Sequence, residues 1–86
     1  MELFHLRYVV KLAETANYSK AASQLYITQP ALSQQIRAIE NEIGVKLFER
    51  TTRKVALTEV GKEFVLHAQS VLREMDELGR SIALRR

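Results

Sequence analysis

Two helix starts lie eleven residues apart in this chain, at Asn17 and Thr28, and no other feature restricts its fold so tightly. Each side chain offers an oxygen to the unpaired amides of a first helical turn. Pro30 fits the turn after Thr28, where its missing N–H costs little. The helix opened by Asn17, YSKAASQLY, is therefore short, and only about three residues join it to the next, a spacing that makes a helix-turn-helix. Its Ala21 and Ala22 allow another helix to approach closely, with Tyr18 and Leu25 as core anchors. Gly44, free to adopt positive φ, ends the helix that Thr28 begins.

The flanking segments complete the outline. Leu3, Leu6, Val10 and Ala13 recur at helical spacing, which predicts a first helix over 2–15 with Arg7, Lys11 and Glu14 facing water. After Gly44 the period shortens. Leu47–Phe48 and Val55–Leu57 are apolar runs around a polar tip at 51–54, which reads as a β-hairpin, and a hairpin after a helix-turn-helix is a wing. Thr58 then caps a last helix, with Glu59 favourably placed at the positive end of its dipole. Phe64, Ala68, Val71, Met75, Leu78 and Ile82 step alternately by four and three, an a/d seam. Such a helix, running to Arg86, is about 40 Å long and too long to bury on so small a domain. The predicted fold is mainly α: a winged helix-turn-helix over 1–58, with three helices and a two-stranded wing, then a linker or dimerisation helix over 59–86.

Composition narrows the function. Eighty-six residues make one small domain whose core is barely sufficient, a situation that favours oligomers. With no cysteine, disulfides, zinc fingers and cysteine nucleophiles are excluded. Glu2, His5 and Arg7 interrupt any signal-peptide core, and no apolar run approaches a membrane span. The expectation is a soluble, cytoplasmic protein with no membrane partner. His5 and His67 lie far apart, with no glycine-rich loop or clustered carboxylates. No catalytic residue, metal site or cofactor is expected, and the chain does not read as an enzyme.

The helix after Thr28 carries the functional signal. At about 100° per residue, Leu32, Ile36, Ile39 and Ile43 fall within about 60° of arc. Pro30, Gln34, Arg37 and Asn41 lie opposite, with Ser33 and Ala38 on the flanks. This face is polar yet almost uncharged, and its first acid, Glu40, comes about three turns in. A carboxylate nearer the start would repel phosphates. The DNA major groove admits an α-helix and presents base-edge donors and acceptors that Gln and Arg match, and the end that meets bases is usually the N-terminal one, where Gln29 and Ser33 stand. Net charge is +3, and residues 30–54 hold +2 of it. Within RTTRK, Arg50, Arg53 and Lys54 are accompanied by no acid, a basic knob suited to phosphates or a minor groove. A solvated turn is the alternative for the knob, and a salt bridge to Glu49 or Glu42 the alternative for Arg50. A protein-docking winged helix would carry an apolar face instead. RNA binding would call for an aromatic stacking platform that the wing and helix lack.

The seam predicts a homodimer, which would set the spacing of two reading helices on two half-sites. Its first turns must pack on their own domain, whereas 75–82 lie too far along for that. The pattern leaves parallel and antiparallel pairing open.

The motifs A-A-x-x-L, T-Q-P-A-L-S-x-Q-I, I-E-x-E-I-G and L-F-E-R, in that order, with VALTEVGKEF after them, make the whole chain resemble the N-terminal domain of LysR-type transcriptional regulators. Thr28 stands where that family more often has serine, and Ile39 where leucine is usual; neither change alters the chemistry. The resemblance implies a dimer on an interrupted inverted repeat of promoter DNA, higher oligomers of the full-length protein, and a small-molecule effector bound by a further domain absent from this chain. It implies that Gln29, Pro30, Ser33 and Gln34 lie at the DNA with Arg37 close by, and that Arg50 and Arg53 meet phosphates or the minor groove; Thr28 and Lys54 complete the expected DNA-binding set.

Overall fold

The computed structural model describes residues 1–51 and 54–86. Within them the chain runs α1 (Leu3–Thr15), α2 (Tyr18–Gln24), α3 (Gln29–Ile43), β1 (Phe48–Arg50), β2 (Val55–Leu57) and α4 (Glu59–Ala83). The strands pair antiparallel, Phe48 opposite Leu57 and Arg50 opposite Val55. The expected winged helix-turn-helix with a long terminal helix is the observed fold.

The helix starts work as their chemistry predicts. Asn17 Oδ1 accepts from the Lys20 amide at 2.9 Å, Thr28 Oγ1 from Ala31 at 3.2 Å, and Thr58 Oγ1 from Gly61 at 2.9 Å. Gly44 ends α3 at φ 80°. Leu12, Leu32, Ile36, Ile39, Leu47 and Val9 are the largest fully buried side chains and form the centre where the helices meet.

Three expectations need correction. In α1 the deepest residues are Val9 and Leu12, while Leu3 is exposed. The helix packs against α2, α3 and α4 together, so it is buried over a wider arc than one stripe. Next, α2 stops at Gln24 and not Tyr26. The amides of Tyr26 and Ile27 turn back to the carbonyls of Ser23 (3.2 Å) and Ala22 (3.0 Å), with Tyr26 left-handed at φ 61°. This is a Schellman cap with tyrosine where glycine usually sits. The connection is thus Leu25 to Thr28, one residue longer than expected. Finally, α4 ends at Ala83, short of Arg86.

Gly61 is needed where α4 crosses the root of the wing. A Cβ there would overlap the Leu47 carbonyl oxygen, which also accepts the Thr58 amide at 2.9 Å. The first half of α4 therefore belongs to the core, through Gly61, Val65 and Ala68. Beyond Leu72 every residue is exposed, and with this projecting helix included the molecule measures 50 × 25 × 19 Å.

Candidate nucleic-acid interface

The turn before α3 and its first residues are open to solvent: Thr28, Gln29, Pro30, Gln34 and Arg37 are all exposed, as is Asn41 further along. Their opposites, Leu32, Ile36 and Ile39, are at most 1% exposed, so α3 is locked in rotation with its polar face outward. The first turn of α3 holds no acidic residue, so nothing there opposes an anion drawn to the helix N-terminus.

Ser33 departs from this arrangement. It is only 7% exposed, and its Oγ accepts a hydrogen bond from Arg50 Nη2 at 3.4 Å. The same Nη2 donates to the Tyr18 hydroxyl at 2.8 Å, and the guanidinium carbon sits 4.7 Å from the centre of the Tyr18 ring. Neither salt bridge weighed for Arg50 forms; Glu42 instead pairs with the N-terminal ammonium at 3.0 Å. Burial pushes the Tyr18 hydroxyl above its ordinary pKa, and the charge and hydrogen bond of Arg50 partly offset this. Arg50, on β1, thus joins α2, α3 and the wing.

Glu40 forms a second joint. It is 6% exposed and its Oε2 accepts the amides of Leu47 at 2.8 Å and Phe48 at 3.2 Å, with Lys46 Nζ 3.8 Å from Oε1. One carboxylate therefore ties the end of α3 to the start of the wing. Sequence reasoning treated Glu40 only as an acid held away from phosphates; an acid beside Ile39, on the buried side of a helix, was the available signal. Between α3 and the wing lies a groove of about 440 Å³ lined by Arg37, Lys46, Glu49 and Arg50 among others. Lys54 is exposed at the wing tip, where its amide donates to Thr51 Oγ1 at 3.0 Å. Arg53, expected at the same tip, lies outside the described residues.

On another side of the molecule the a/d seam divides as physics requires. Ala68 is buried and Phe64 half-buried, whereas Val71, Met75, Leu78 and Ile82 are 39–57% exposed. The stripe begins at an apolar cleft of about 340 Å³ formed by Leu6, Val60, Phe64, His67, Ala68 and Val71. His67 lines this cleft, while His5 meets Gln35 through Nε2 at 3.1 Å. Among the described residues no group of three or more His, Cys, Asp or Glu could hold a metal ion, and no helix is long and apolar enough to cross a membrane.

Four matches with known proteins bear on what the chain is. Residues 3–62 match the model of the bacterial regulatory helix-turn-helix proteins of the lysR family. The Hca operon transcriptional activator HcaR of Escherichia coli (strain K12) is 47% identical over 76 residues, which cover 88% of this chain and 26% of that protein. Among solved structures, the DNA-binding domain of BenM in complex with its benA site 1 DNA superposes with a TM-score of 0.91 at 42% identity, covering 99% of this chain and 94% of that one. The CbnR DNA-binding domain in complex with DNA gives 0.90 at 37% identity, covering 100% of both chains. The chain spans about a quarter of the length of the curated relatives it matches.

Proposed function

The chain belongs to the lysR family of bacterial regulatory helix-turn-helix proteins, and from that membership we propose that it is the DNA-binding part of a transcriptional regulator working as a homodimer on promoter DNA. The observation that carries this is the outward face of α3. Its rotation is set by Leu32, Ile36 and Ile39, and it offers Gln34, Arg37 and Asn41 beside an acid-free N-terminus. In this reading α3 enters the major groove, where Gln29, Gln34 and Arg37 meet base edges and Thr28 and Pro30 approach the backbone. Arg50, Arg53 and Lys54 neutralise phosphates or enter the minor groove. Ser33, buried and bonded to Arg50, acts through that arginine rather than by touching a base.

Two copies pair through Val71, Met75, Leu78 and Ile82, with Phe64 and Ala68 at the base of the seam, and place their α3 helices on the two halves of an interrupted inverted repeat. This pairing supports a division of labour between a reading unit over 1–58 and a linker over 59–86. The protein acts in the cytoplasm, carries out no catalysis and needs no cofactor. A domain outside these 86 residues binds a small-molecule effector, and the full-length protein forms higher oligomers.

Selection of duplexes from a random pool, followed by sequencing, tests this reading. An enriched inverted repeat is the expected outcome. Retention of duplexes without any enriched sequence would reduce the chain to a general polyanion binder.

A further inference from the structure

We propose that Tyr18, on α2, is a positioning residue for DNA binding: it holds Arg50 so that the remaining Nη1 donors of its guanidinium can meet a phosphate. This rests on the reading of Arg50 as a phosphate contact. A guanidinium carries five N–H donors in a planar fork. Both of the hydrogen bonds that anchor it, to Tyr18 and to Ser33, use Nη2. The two hydrogens of Nη1 remain, and Nη1 can donate to a phosphate oxygen in a charge-assisted hydrogen bond.

The anchorage comes from two separate features of one side chain. The Tyr18 ring lies under the guanidinium, at 4.7 Å from Cζ to the centroid, and the Tyr18 hydroxyl accepts from Nη2 at 2.8 Å. The ring attracts the cation, and the hydroxyl fixes its orientation in the plane. Ser33 adds a third point from α3, one helical turn from both Gln29 and Arg37. An arginine on an exposed strand ordinarily gives up its rotamer freedom when it grips a phosphate. Arg50 has given much of it up already, at a spot defined by α2 and α3 together. A phosphate held there sets the depth and tilt at which α3 meets the groove. The first helix of the helix-turn-helix thereby contributes to DNA affinity through a residue that need not touch DNA.

The test is a double-mutant cycle on a duplex carrying the selected operator, with Tyr18→Phe, Arg50→Ala and the combination, each first checked for an unchanged circular dichroism melt. Phenylalanine keeps the ring and removes the hydroxyl. Tyr18→Phe should weaken binding roughly fivefold per half-site, the worth of one hydrogen bond, with the slope of log K against log salt unchanged. Arg50→Ala should lower the magnitude of that slope by about 2 for the dimer. In the Arg50→Ala background Tyr18→Phe should have no further effect. An equal loss in both backgrounds would show that Tyr18 acts independently of Arg50, and no loss in either would show that its hydroxyl positions nothing; each overturns the proposal. A salt slope untouched by Arg50→Ala would instead remove the phosphate contact on which the proposal rests.

Discussion

At the scale of single residues, the chain places polar groups where an apolar side chain would pack more simply. Glu40 is the clearest case, a buried carboxylate whose acceptors go to two wing-root amides. Glu40→Ala leaves the Leu47 and Phe48 N–H groups without their acceptor, at a cost of about 3 kcal/mol in unfolding free energy. Urea titration at fixed protein concentration measures it, and a loss below 1 kcal/mol (on the order of one ordinary surface contact) would mean that water replaces the carboxylate. Tyr26 is the opposite case. It is 94% exposed, so no packing compensates for its left-handed backbone. Asparagine tolerates that conformation better, and Tyr26→Asn should stabilise the domain by about 1 kcal/mol; a variant no more stable than the parent would show that the turn is unstrained.

At the scale of elements, what matters is how closely and at what angle they meet. The wing is held to α3 by Glu40, to α2 and α3 by Arg50, and to α4 by the Thr58 hydroxyl, which donates to the Lys46 carbonyl at 2.8 Å. Gly61 lets α4 cross this junction. Gly61→Ala pushes a methyl group into backbone that cannot yield, so it should destabilise by about 3 kcal/mol despite the better helix propensity of alanine. A thermal melt equal to that of the parent would mean that α4 can shift outward at little cost. The far half of α4 has the reverse character, carrying an apolar stripe without intramolecular cover. Leu78 is 57% exposed; Leu78→Glu should therefore leave the melt of each protomer nearly intact while shifting sedimentation from dimer to monomer. A mutant that stays dimeric would place the interface elsewhere.

At the scale of the whole molecule, a net charge of only +3 makes the placement of charge decide affinity. If Arg37, Arg50, Arg53 and Lys54 of both protomers each neutralise a phosphate, about eight counterions leave and log K falls with log salt at a slope of about −7. Titrations at several salt concentrations measure the slope, and a value near zero would exclude an electrostatic role for the wing. Dimerisation enters the same measurement, because one protomer alone contributes half of that slope.

What the sequence determined by itself was everything set by neighbours along the chain. The caps at Asn17, Thr28 and Thr58, the stop at Gly44, the outward face of α3 and the a/d seam all depend on contacts within a few residues, where spacing equals geometry. The hairpin was legible from its change of period, and the family from four motifs in order. Tertiary structure alone decided which polar residues turn inward. Ser33 lies at the flank of α3 by helical geometry, and it is buried in the fold, where it accepts from Arg50, seventeen residues further on. Tyr18 was legible as a core anchor, but its hydroxyl becomes a partner of the wing only when α2 and β1 are brought together across thirty-two residues. No local pattern specifies such a pairing, because its energy comes from two groups that meet only after the core has packed.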